Sequence, residues 1–75
     1  MVIEVSYQEA DDAKDAHSHF KQTKYFEADD MPSREAVTRR LRATGVNFDE
    51  STLSIQPYDE DAKTMREGNI PVTKF

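Results

Sequence analysis

His17-Ser18-His19 is the run in this chain that most invites a metal ion. Two histidines two residues apart point the same way on an extended backbone. Asp12 or Asp15 can add a carboxylate, and such a donor set suits zinc, nickel or copper. The competing reading is a surface histidine pair ahead of a strand, on a loop that would first have to be ordered; no metal site and no cofactor are expected. Asp59-Glu60-Asp61 opens like a calcium loop, but Lys63 stands where a further oxygen ligand is needed and Thr64 where the turn needs glycine. The only glycines are Gly45 and Gly68, so there is no glycine-rich phosphate cradle, and without cysteine there is no thiol chemistry or disulfide. No Ser–His–Asp set has a nucleophile motif around it. The paired carboxylates sit in polar runs where nothing would raise one pKa for acid catalysis. Catalysis is not expected.

The elements that must position any binding residues have to come from a lean composition. The chain has 75 residues and a net charge of -5, and Val, Ile, Leu and Phe make up 14 of the 75, about 19%. These values lie at the boundary with disordered chains, so the pattern has to decide. Met1, Ile3, Val5 and Tyr7 alternate with Glu4 and Ser6, which predicts a half-buried strand. Ser51 to Gln56 repeats the alternation with Leu53 and Ile55 inward, and Pro57 is expected to close it. His19 to Ala28 predicts a third strand with Phe26 and Ala28 facing the core. Ile70 to Phe75 predicts a fourth, which Pro71 pushes to a sheet edge.

One helix is expected over 33–44. Asp30 or Ser33 can cap it, Pro32 suits its start, Val37 and Leu41 form its apolar stripe, and Gly45 ends it. Glu9 to Ser18 reads as a loop or a weak helical turn, and Asp59 to Asn69 as a loop with one turn. No repeat or linker marks a second domain, so 1–75 is read as one α+β unit, a ββαββ arrangement with one helix on a three- or four-stranded sheet. The uncovered sheet face would be polar, carrying Glu4, Ser6, Thr52, Ser54 and Gln56. This element order resembles the β-grasp fold of ubiquitin. The chain ends Val72-Thr73-Lys74-Phe75 without the Gly-Gly of the conjugating members, so conjugation is not expected.

Charge is distributed unevenly. Arg34, Arg39, Arg40 and Arg42 against Glu35 give the helix +3, and the rest of the chain carries -8. Each acidic clump has a plain structural reading as a solvated loop or as a complement to a helix dipole. A functional reading makes Asp11, Asp12, Asp15, Asp59, Glu60 and Asp61 a docking field for another protein with a basic nucleic-acid groove, with Tyr7, Tyr25 and Tyr58 as anchors. In size, charge and element order the chain resembles the acidic inhibitors that bacteriophages make against host polymerases, nucleases or CRISPR complexes. That resemblance implies a protein-binding inhibitor or adaptor. The alternative rests on 33–45, which is similar to the recognition helix of helix-turn-helix repressors and would present Arg34, Arg39, Arg40 and Arg42 to nucleic acid. Against it, the preceding segment reads as a strand and the net charge repels phosphate. Two copies pairing through the Ile70–Phe75 edge is a further possibility. No run is long and apolar enough to span a membrane and no leader is evident, so a cytoplasmic location is expected.

Overall fold

The computed structural model describes residues 1–10 and 21–75, in the order β1 (Val2–Gln8), β2 (Lys21–Glu27), α1 (Arg34–Ala43), β3 (Ser54–Tyr58), α2 (Ala62–Glu67) and β4 (Thr73–Lys74). The fold is α+β, the ββαββ order with α2 inserted between the last two strands, and its four-stranded mixed sheet is arranged β3-β1-β2-β4. β1 pairs antiparallel with both β2 and β3, and β4 pairs parallel with β2. The histidine pair and the first acidic loop, Asp11, Asp12, Asp15, His17 and His19, lie outside the described residues.

Because β1 opposes both neighbours, β2 and β3 run parallel. The connection through α1 therefore crosses β1 in one direction, and the connection through α2 crosses back from β3 to β4. Parallel crossovers share one hand, so reversing their direction puts the two helices on opposite faces. The packing shows this. Val37 and Leu41 of α1 join Ile3, Val5, Tyr7 and Phe26, whereas Ala62 and Met65 of α2 join Val2 and Val72, with Tyr25 and Tyr58 against them.

This second layer corrects the expectation of a wholly polar outer face and of a loop at Asp59–Asn69. Val2, on the same face as Glu4 and Ser6, is buried beneath α2, while Met1, read as inward, is exposed. The Asp61 carboxylate accepts from the Thr64 amide at 2.7 Å and starts α2. Asn69, in a left-handed conformation at φ 63°, ends it. Its amide bonds to Arg66 O, and the Ile70 amide to Met65 O at 2.9 Å, the paired closure of a Schellman motif. α1 closes the same way through Gly45, at φ 84°, and Val46. Its start is Ser33, whose Oγ accepts from the Ala36 amide, rather than Asp30.

Two strand limits also move. Glu50–Thr52 forms a short 3-10 turn, so β3 begins at Ser54 and runs through Pro57 to Tyr58. Pro57 is tolerated because β3 is an edge strand. Val2, Glu4 and Ser6 face β3 with their hydrogen-bonding groups, and Pro57 opposite Ile3 needs no donor.

Candidate functional site

Parallel β2 and β3 end at the same side of the sheet, and each is followed by carboxylates. Glu27, Asp29 and Asp30 close β2, and Asp59, Glu60 and Asp61 close β3, six acids from segments distant in sequence. A groove of about 680 Å³ is lined by Met1, Glu27, Asp29, Asp30, Met31 and Phe75 among others. A second, of about 560 Å³, shares Met1 and Glu27 with it and is lined by Tyr58, Asp59, Glu60 and Asp61. Among the described residues the large apolar side chains left exposed are Met1 at 50%, Met31 at 42% and Phe75 at 36%, and all three line the first groove. Scattered exposed apolar residues are ordinary, but three converging inside an acidic rim form a patch.

Hydrogen bonds from the Thr64 amide and hydroxyl hold the Asp61 carboxyl below its ordinary pKa. Glu27 pairs with Arg66 at 3.3 Å, and Lys74 adds one cation to the groove wall. Asp29, Asp30, Asp59 and Glu60 are exposed and form no ion pair with another described residue.

The sequence reading joined Asp59–Asp61 with Asp11, Asp12 and Asp15, which lie outside the described residues. Tyr58 pairs with Val2 at one end of β1, whereas the chain enters 11–20 at Ala10, past the other end and about 20 Å away for a seven-residue strand. Two acids near that far end, Asp49 and Glu50, are engaged in structure. Asp49 accepts from the Ser51 amide and hydroxyl, which lower its pKa, and Glu50 pairs with Arg42 at 2.9 Å.

The tyrosines divide. Tyr7, at 2% exposed, is a core residue tilted against Phe48 at 5.4 Å and has no ring surface for a partner, a correction to its reading as an anchor. Burial, then the Glu9 charge, pushes its hydroxyl pKa up. Tyr25 and Tyr58 are half-buried, edge to face at 4.9 Å, and the Tyr25 hydroxyl donates to Glu4. Tyr58 alone of the three lines the acidic end.

The helix arginines bind their own chain. Arg34 donates to the Glu50 carbonyl at 2.7 Å and Arg39 pairs with Glu35 at 2.8 Å. Arg42 lies 4.7 Å from the Phe48 ring centroid besides pairing with Glu50. Arg40 stands near the rings of Phe26 and Phe75 and donates to the backbone oxygens of Lys74 and Phe75. Each of the four α1 arginines thus has a contact within the chain.

Met1, Met31, Phe75, Glu27, Asp29 and Asp30 are the site residues the sequence reading did not assign. Met31 carried a signal, an apolar residue between Asp29-Asp30 and Pro32-Ser33, where no periodic element can bury it. Among the described residues no group of three or more His, Asp or Glu is placed to hold a metal ion, and no helix is long and apolar enough to cross a membrane. Comparison of the chain with protein-family models, with curated proteins and with solved structures gives no match.

Proposed function

We propose that this domain is a non-enzymatic, cytoplasmic protein-binding module, an inhibitor or adaptor that docks its acidic end onto a partner with a basic nucleic-acid groove. The observation that supports this is the meeting of six carboxylates and three exposed apolar side chains at the end where β2 and β3 finish. Opposite charge speeds encounter and selects the partner, while Met31 and Phe75 supply contact area that charge alone does not. An acidic surface occupying such a groove competes with nucleic acid directly, which is how a domain of this size can inhibit without chemistry.

The test compares capture from the native host by the wild-type chain and by Asp30→Lys/Asp59→Lys/Glu60→Lys. The partner is then identified and its nucleic-acid affinity measured by fluorescence anisotropy with the domain added. The expected result is a partner released by the triple variant and by rising salt, whose nucleic acid is displaced by the wild-type domain. A partner held equally by the variant at low ionic strength, or one that keeps its nucleic acid when the domain is bound, overturns the reading.

A further inference from the structure

β2 is seven residues long, yet β4 covers only its last two, Phe26 and Glu27. The Phe75 amide donates to Glu27 O, so the backbone groups of Glu27 face β4. By the period of two, the amides and carbonyls of Lys21 and Thr23 and the amide of Tyr25 face the same side, beyond the end of β4. Lys21, Thr23 and Lys24 are exposed. Along this edge runs a groove of about 350 Å³, walled by Arg40 and Thr44 of α1 on one face and by Ile70 and Pro71 on the other.

The other strand edges are blunted. Pro57 removes an outward donor from β3. On β4 the outward carbonyl of Lys74 is occupied by Arg40 at 2.8 Å, which leaves the two-residue strand little to offer a second copy. Among the described residues, five residues of β2 thus form an open edge of about 16 Å, long enough to pair with a short extended segment.

The geometry points to this edge as a second docking surface, one that adds an extended peptide strand to the sheet. The peptide's chemistry follows from the walls. Lys24 and Arg40 share the α1 face of the groove, so residues on that side of the strand are acidic. Ile70, Pro71 and Tyr25 line the α2 face, so residues there are apolar. Lys21 and Lys24 also disfavour a second copy, because pairing two such edges brings lysines together. Main-chain hydrogen bonds supply affinity and the alternation supplies selection. This surface is separate from the acidic end.

The test is a titration of 15N-labelled protein with a blocked six-residue peptide alternating Val and Glu, read by amide shifts and hydrogen exchange. Saturable shifts centred on Thr23 and Tyr25, with slowed exchange of both amides, are expected. A peptide N-methylated along one edge, and the alternating Val/Lys peptide, should fail to bind. Thr23→Pro removes only an outward amide and should abolish binding with the rest of the spectrum retained, and Lys24→Glu should weaken it about threefold or more. Absence of saturable shifts in this segment, equal binding of the N-methylated peptide, or unchanged affinity in Lys24→Glu overturns the inference. Asp30→Lys/Asp59→Lys/Glu60→Lys should bind the Val/Glu peptide at least as well as wild type, so failure here and failure of the acidic-end reading are distinguishable.

Discussion

Arg40 holds Phe75 in place from across the sheet edge. Its guanidinium donates to the Phe75 backbone oxygen and to Lys74 O, and lies 5.5 Å from the Phe75 ring centroid and 5.4 Å from that of Phe26. Phe26 and Phe75 meet edge to face at 5.6 Å, so one cation and two rings fasten β4 to β2. The same contacts shape the apolar wall of the acidic end, because Phe75 is placed there by Arg40.

Arg40→Met keeps much of the stem and removes the charge and the donors. We expect a loss of about 1–3 kcal/mol, from the cation–π contacts and the charge-assisted bonds together. Native-state hydrogen exchange should show the Phe75 amide losing protection while the β1–β2 amides keep theirs at low denaturant. Unchanged exchange at Phe75 would show that β4 is held by its strand pairing alone.

The buried and half-buried tyrosines should respond differently to truncation. Tyr7→Ala opens a cavity beside Phe48 and should cost about 3–5 kcal/mol, enough to unfold most of so small a domain. Tyr58→Ala should cost clearly less, because its ring is half-buried at the rim. Urea unfolding followed by circular dichroism measures both, and equal losses would contradict the placement of Tyr7 in the core.

Ser33→Ala removes the acceptor for the Ala36 amide at the start of α1. A loss of about 1 kcal/mol is expected, whereas Asp30→Ala should be near neutral for stability. A larger effect from Asp30 would mean that the cap lies one turn earlier than Ser33.

Acid should weaken the caps of α2 and of the 3-10 turn. The Asp61 pKa is lowered from 3.8 in the folded chain by hydrogen bonds to Thr64, so its contribution is complete above that value and is lost as pH falls through the lower folded value. Asp49 titrates in the same direction through Ser51. Thermal unfolding should therefore show Tm falling below about pH 4. Asp61→Asn should make that acid slope shallower without abolishing it, since Asp49 remains. An identical slope in the variant would show that the Thr64 bonds do not contribute to acid sensitivity.

Each α1 arginine already has an acceptor within the chain, so duplex DNA should not be retarded by the domain in a low-salt gel shift. Retardation that disappears in Arg34→Ala/Arg39→Ala would restore the nucleic-acid reading, since these side chains would then be leaving Glu50 and Glu35 for phosphate.

The sequence by itself determined the features that depend on neighbouring residues. The alternation of Ile3, Val5 and Tyr7, the stripe of Val37 and Leu41, the end of α1 at Gly45, and the edge position signalled by Pro71 all follow from local periodicity and dihedral preference, whereas the choice of Ser33 over Asp30 as its cap came from the structure. α2 stayed hidden because six residues are too few for a helical period to stand out, and its burial depends on Val2 and Val72, far away in the chain. Tyr7 could not be separated from Tyr25 and Tyr58 by type, since its cover comes from residues distant in the chain, Phe48 and Leu41 among the core cluster it joins. Strand order was likewise the decision of the tertiary structure. It turned two acidic turns and three unrelated apolar residues into one surface, and among the described residues it left the outer edge of Lys21–Tyr25 without a strand. Strand pairing is a competition among distant segments for the same hydrogen bonds, and no short stretch of sequence records its outcome.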